Sequence, residues 1–327
     1  AEAADMAFVS GKGKFGAAAK SRAGVLFVSP AERAEIPPAS DARTLVVADD
    51  PKEAFFAVLA RLKPARPRIA FGQSPHAFIH PNAKVGPGTN VHPGATISSG
   101  AVVGANCDIH PGVCIGPGCK IGDHVQLHPN VVVYHDVTIG NRVTIQAGSV
   151  IGADGFGYRT RDGRHERIPH FGTVRIEDDV DVGACTTIDR AVIGETVIGQ
   201  GTKIDNNVVI AHNCRLGRHN LLVSQVGFAG SVTTGDYVVC AGQVGIADHV
   251  HIGTGAVLGA KAGVHKDLAG GRTYLGAPAA PIEEATRAVM TMQKLPQLRQ
   301  SLRELERQVA ELRKRIDGEP ERPRAAA

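Results

Sequence analysis

Tryptophan is absent from this chain of 327 residues, and Phe, Tyr and Trp together make up only 4% of it. Yet 43% of the residues are hydrophobic and 39 are glycine. The core therefore has to be built from small aliphatic side chains rather than rings, which is the profile of a repeat protein. No apolar run reaches membrane-spanning length. The opening AEAADMAF has neither the charged nor the apolar region of a signal peptide, so the expectation is a cytoplasmic protein with no integral membrane segment. Excess charge of one sign is small too: the formal net charge is +4, with no long basic run, which argues against nucleic acid as a partner. The six cysteines, at 107, 114, 119, 185, 214 and 240, form no CxxC pair and no zinc-knuckle spacing, and are expected to be reduced, mostly buried thiols.

What the sequence has instead is a period of six. From Ile79 through Val85, Val91 and Ile97 to Ile145 and Ile151, every sixth residue is aliphatic, with Gly, Asn or Asp recurring between. A second run goes from Ile198 to Val264, with only Thr234 and Cys240 off-type, and Ile176, Val182 and Ile188 keep the step between the two runs. Neither a helix nor a two-residue strand alternation has this period. The pattern predicts a mainly β fold, a left-handed parallel β-helix in which each hexapeptide supplies one short strand and one turn and three of them close a triangular coil. Residues 18 apart then stack at roughly 4.8 Å, and the repeat accommodates about nine or ten coils over about 45 Å.

Two interruptions break the step: GADGFGYRTRDGRHERIPHFG at 152–172, long enough to be a functional flap, and four extra residues near Asp189 to Val192. Residues 1–72 do not follow the repeat. AGVLFV and RTLVVAD read as strands and KEAFFAVLARL as an amphipathic helix, giving a small N-terminal α/β domain. The β-helix domain is expected over 73–280. Over 281–327 a C-terminal α-helical segment carries a heptad seam of Leu295, Leu298, Leu302, Leu305, Val309, Leu312 and Ile316. Pro296 suits a helix start. The seam is too apolar for a lone helix, and the last residues, DGEPERPRAAA, read as disordered.

Histidines are common at the turns. His80, His92, His110 and His128 each follow a rung and precede proline, and the last three are spaced by 18, so they form a stacked decoration of one corner. His212, in DNNVVIAHN, sits two residues after its rung, as His135 does, so position alone proves nothing. Its surroundings differ. Eighteen residues on lies Gly230, whose missing side chain leaves backbone N–H accessible beside the imidazole; 37 residues on lies His249; and Asp205 precedes it on the neighbouring face of the same coil. Spacing alone leaves open a catalytic groove or a satisfied polar corner.

Five segments taken together, IGADGFGY (151–158), GACTTIDR (183–190), IDNNVVIAHN (204–213), GQVGIADH (242–249) and YLGAPA (274–279), resemble the UDP-3-O-(3-hydroxyacyl)glucosamine N-acyltransferase family of lipid A biosynthesis. Hexapeptide repeats alone are shared by many acyltransferases; the GFGY insertion, TTIDR and IAHN in combination are specific. The resemblance implies a homotrimer with active sites between subunits. The donor would be a (R)-3-hydroxyacyl thioester of acyl carrier protein, whose 4'-phosphopantetheine arrives with the donor so that no tightly bound cofactor and no metal is expected. The acceptor would be the 2-amino group of UDP-3-O-acylglucosamine. It also implies that His212 is the general base, that Asp205 orients or polarises it, and that the Gly230 N–H is the oxyanion donor. His249 would lie near the nucleotide phosphates or the carbonyl. For the uridine the family places two aromatics near an FxxNPKY-like segment. This chain reads FVSGKGKF there, so Phe8 and Phe15 carry over onto an altered loop, and a core or loop aromatic is an equal reading for each.

Readings from other classes remain. A sugar-nucleotide acetyltransferase using acetyl-CoA is one. A zinc site of the γ-carbonic anhydrase type is another, with His212, His249 and His251 as candidate ligands. That type uses an HxxxxH pair, whereas position 254 is Thr and His249 and His251 are only two apart. A non-catalytic prism is the third.

Overall fold

The computed structural model describes residues 5–9, 22–35, 43–63, 68–277 and 282–317. The chain divides into two compact units, residues 1–69 and 70–327.

In the first unit three parallel strands, Met6–Phe8, Val25–Val28 and Thr44–Val47, pair in that order. Two helices, Pro30–Glu35 and Pro51–Leu62, accompany them. The longer helix starts where the sequence dictates: Asp50 accepts the N–H groups of Lys52 and Glu53, and Pro51 occupies the first turn, where its missing donor costs nothing. Phe8 packs against Phe55 and Phe56 with ring centroids 5.1 and 6.1 Å apart.

The second unit is the parallel β-helix that the six-residue period predicts. Its faces are three sheets of ten, nine and ten strands, most of them two residues long. Ile115 pairs with Ile97 below and Val133 above, steps of 18 in each direction. From Val91 on the rungs are buried, and a second inward position two residues before each, as at Cys107, Val113, Cys119 and Val125, is buried as well. Thr234, an off-type rung, is accommodated because its hydroxyl accepts Asn220 Nδ2 at 2.7 Å and donor demand inside the coil is thereby met. Burial pushes the Cys214 and Cys240 thiols up to about 12, so both behave as small core hydrophobes.

Each corner has a fixed grammar. The third residue after a rung takes a left-handed backbone, as Asn213 (φ 62°) and His249 (φ 59°) do, which is why Gly, Asn and Asp recur there. The second residue after the rung is proline at 81, 87, 93, 111, 117 and 129, a residue with no N–H to offer. His92, His110 and His128 stack along one corner with centroids 4.8 and 4.9 Å apart.

The flap leaves the solenoid at the strand Val150–Asp154. It forms an antiparallel hairpin, Tyr158–Arg161 with Arg164–Arg167, and returns at Thr173–Ile176. Across it Ile139 pairs with Ile176, 37 residues on. Across the second interruption Ile188 pairs with Ile210, 22 residues on.

The C-terminal helix runs Ile282–Asp317, so it begins well before Pro296, which lies inside it and is not its start. Every residue of the heptad seam is exposed. The tail 318–327 lies outside the described residues. Among the described residues no helix is long and apolar enough to cross a membrane.

Candidate active site

The corner after the sheet that carries Ile210, Phe228 and Ile246 brings His212, Gly230, Asp248 and His249 together on successive coils. With Phe156 of the flap, Ala211 and Ala229 they line a cavity of about 320 Å³, at the small end of ligand pockets.

His212 is held from three sides. Its Nδ1 lies 3.1 Å from Asn213 Oδ1. A Cβ built on Gly230 would come within 2.6 Å of Cε1 and 2.7 Å of Nε2, and one built on Gly155 within 3.0 Å of Cβ and Cδ2. Only glycine fits at either place without moving the ring, so the imidazole is sandwiched between a bare backbone of the next coil and a bare backbone of the flap. Gly230 sits where other corners carry proline. Its C=O accepts His249 N–H at 3.0 Å, while among the described residues its own N–H has no protein acceptor. The corner geometry thus leaves a backbone donor open beside a histidine.

Beneath His212 are two residues whose importance the sequence did not signal. His170, on the return of the flap, packs edge-to-face on the His212 ring at 5.4 Å. Its Nδ1 meets Ile168 C=O at 3.0 Å, and among the described residues its buried Nε2 has no partner. Burial pushes the Asp189 carboxyl up to about 6, with the His212 imidazole opposing the shift and Asp154 adding to it. Asp189 escaped a count by 18 because the four-residue insertion makes the local step 22.

His135 occupies the same place in its turn as His212 and has a different fate. Its Nδ1 bonds Asp136 at 2.8 Å, and Arg190 places Nη1 2.7 Å from its Nε2. Arg190, 1% exposed, also donates to Gly152 C=O and His135 C=O at 2.7 and 2.8 Å. This guanidinium ties the root of the flap to the solenoid.

Asp205 is not brought to His212 within the chain. It follows Ile204 on another corner, where its carboxylate accepts from Ser224 Oγ, from Ser224 N–H at 3.1 Å and from Asn206 N–H at 2.8 Å. The Ser224 hydroxyl is the main reason that its acidity is strengthened. A face of the coil separates the two side chains, a distance that a count of seven residues conceals. His251 begins the strand His251–Ile252, whereas His249 lies in the turn before it, and the His251 Nδ1 is 2.9 Å from Thr233 Oγ1. Phe8 belongs to the aromatic cluster of the first unit, and Phe15 lies outside the described residues.

A second, apolar trough of about 570 Å³ shares Ala229 with the first cavity. Gly227, Gly245 and Gly263 lie along its floor on consecutive coils, and a Cβ at any of them would meet nothing within 4 Å.

Residues 118–153 and 195–230 match the family model described as bacterial transferase hexapeptide (six repeats). The chain is 45% identical over 302 residues to the UDP-3-O-acylglucosamine N-acyltransferase of Syntrophobacter fumaroxidans, covering 92% of this chain and 83% of that one. With the enzyme of the same name from Methylobacterium sp. the identity is 42% over 296 residues, 89% and 83% of the two chains. The chain belongs to the UDP-3-O-acylglucosamine N-acyltransferase family. A further N-acyltransferase of that name, from Wolinella succinogenes, is 56% identical over 135 residues, a match spanning 41% of this chain and 42% of the relative. The solved UDP-N-acetylglucosamine acyltransferase of Francisella novicida superposes on 66% of this N-acyltransferase and 72% of its own chain, with 26% identity and a TM-score of 0.51. The protein is thus an acyltransferase enzyme built on hexapeptide repeats.

Proposed function

We propose that this enzyme transfers a (R)-3-hydroxyacyl chain from acyl carrier protein to the 2-amino group of UDP-3-O-(3-hydroxyacyl)glucosamine, a step of lipid A biosynthesis, with His212 as general base. The observation that carries the proposal is the juxtaposition of His212 Nε2 with Gly230, whose N–H has no acceptor among the described residues, at the edge of one cavity. Acyl transfer to an amine needs a proton acceptor and an oxyanion donor on the same reacting centre.

In this scheme the amine nitrogen attacks the thioester carbonyl carbon while His212 Nε2 takes its proton. The carbonyl oxygen gains charge and accepts the Gly230 N–H, a donor that is already fixed and needs no reorganisation. Collapse breaks the C–S bond, and the proton on His212 goes to the departing 4'-phosphopantetheine thiolate, leaving an amide and a free thiol. His249, across the same cavity, faces the nucleotide phosphates or the carbonyl. The acyl chain lies in the trough over Gly227, Gly245 and Gly263, where the absence of side chains makes room for methylenes.

The working enzyme in this reading is a homotrimer with its sites between subunits. Asp205 then serves His212 of a neighbouring copy, a role supported by its place on another corner of its own chain. Phe8 and Phe15 are proposed to contribute to uridine binding. The exposed heptad seam packs on copies of itself, and acyl carrier protein docks transiently, bringing the only prosthetic group. The expected compartment is the cytoplasm.

The test is amide formation from 3-hydroxyacyl carrier protein and UDP-3-O-acylglucosamine, run against acetyl-CoA as donor. Turnover with the carrier-bound chain and none with acetyl-CoA is the expected result; preference for acetyl-CoA would replace the proposal with a short-chain acetyltransferase.

A further inference from the structure

His212 and Asn213 are neighbours in sequence, yet the Asn213 amide is held from elsewhere. Its Oδ1 accepts the Val192 N–H at 2.9 Å, and its Nδ2 donates to Ile193 C=O at 3.1 Å. A backbone N–H can only donate and a backbone C=O can only accept, so neither end of the amide can exchange roles. Oδ1 is therefore the atom that faces His212 Nδ1 at 3.1 Å. An amide oxygen has no proton to give, so the hydrogen in that contact belongs to Nδ1. A neutral imidazole carries one hydrogen, and Nε2 is left with the lone pair. Nε2 is also the nitrogen nearer Gly230: a Cβ there would lie 2.7 Å from Nε2 and 3.2 Å from Nδ1.

We propose that Asn213 is a positioning residue that locks His212 in the Nδ1–H tautomer, and that the four-residue interruption after Arg190 serves to clamp it. This rests on the reading of His212 as the base. The interruption supplies both backbone groups that fix the amide. It also reaches the flap, because Val192 C=O accepts the Phe171 N–H at 2.9 Å. From the other side Thr196 Oγ1 accepts the Asn213 N–H at 2.9 Å. One short bulge thus fastens the flap's return and the tautomer of the base together. An amide suits the task better than a carboxylate: it accepts from Nδ1–H without adding a charge beside the ring, and it satisfies Ile193 C=O, which a carboxylate would leave without a donor.

The test uses Asn213→Gly and Asn213→Asp in the full chain. Glycine adopts the left-handed φ of 62° at this position without strain, so the first variant deletes the amide and keeps the turn. Nitrogen-15 NMR on histidine-labelled protein reads the tautomer directly. Wild-type His212 is expected to show a protonated Nδ1, and Asn213→Gly a mixture of tautomers, with kcat reduced on the order of 10²-fold, the scale of general-base catalysis, and KM little changed. Asn213→Asp is expected to keep the Nδ1–H tautomer while the acid limb of the pH–rate profile moves to higher pH. A wild-type ring protonated on Nε2, or an undiminished kcat in Asn213→Gly, overturns the proposal. Failure of the base reading would appear separately, as turnover retained in His212→Ala, since the wild-type spectrum reports the ring's proton whatever the ring does.

Discussion

Gly230 lies one coil beyond His212, and a methyl group added to it would sit 2.7 Å from the imidazole Nε2. The conflict is with a side chain rather than with backbone, so the coil tolerates Gly230→Ala by turning the ring aside. The expected result is a kcat lower by at least about 10²-fold, the scale of losing a correctly placed general base, with the Gly230 N–H retained and the thermal midpoint nearly unchanged. Calorimetry alongside steady-state kinetics checks both halves.

Gly155 covers the opposite side of the same ring. Gly155→Ala would press on His212 Cβ and Cδ2 at 3.0 Å and on the His170 Nε2 at 3.2 Å, and the cheapest relief is for the flap to lift. Faster amide hydrogen exchange across 152–172 should accompany a fall in kcat, with exchange in the neighbouring coils unaltered.

The six-residue period made the β-helix, its rungs and the histidine ladder readable from sequence, because one slipped residue would turn every rung outward. The site was readable only in part. His212, Gly230 and His249 are related by steps within an uninterrupted run, so counting places them on one corner. Asp189 and Asn213 depend on the second interruption, which changes the local step to 22, and His170 depends on how a flap folds back, which no period encodes. Pro296 gave a misleading signal, because a proline tolerated within a long exposed helix looks in sequence like a helix start.

Asp189 predicts a pH-dependent stability. Its carboxyl titrates at about 6 in the folded chain because burial penalises the charge, against about 3.9 in an unfolded one. Between these values the folded state holds the proton that the unfolded state has lost, so the contribution is full below about pH 4 and is lost as pH rises through 6. Asp189→Asn, which cannot ionise, should therefore raise the thermal midpoint relative to wild type at pH 8, with the advantage shrinking to nothing near pH 4. Melting curves across that range measure it.

Arg190 is a buried charge with three acceptors in Gly152 C=O, His135 C=O and His135 Nε2. Arg190→Met removes the donor from all three, and a loss of roughly 1–3 kcal/mol is expected for a buried carbonyl left without its donor. Limited proteolysis should cut first in the flap, whose root this side chain holds.

The proposed seat of the acyl chain in the trough predicts chain-length selection. Gly245→Leu fills open space and costs the fold little, since nothing lies within 4 Å of the added Cβ. It should lower kcat/KM for long 3-hydroxyacyl donors while sparing short ones, and a uniform loss across chain lengths would place the acyl chain elsewhere.

The most direct measurement is amide formation from 3-hydroxyacyl carrier protein and UDP-3-O-acylglucosamine by wild type and by His212→Ala, with the oligomeric state of both followed in parallel. The account predicts turnover by wild type and loss of at least about 10²-fold in a variant that assembles normally, as expected when a general base is removed. Unchanged turnover by His212→Ala would contradict it and take the base away from this corner.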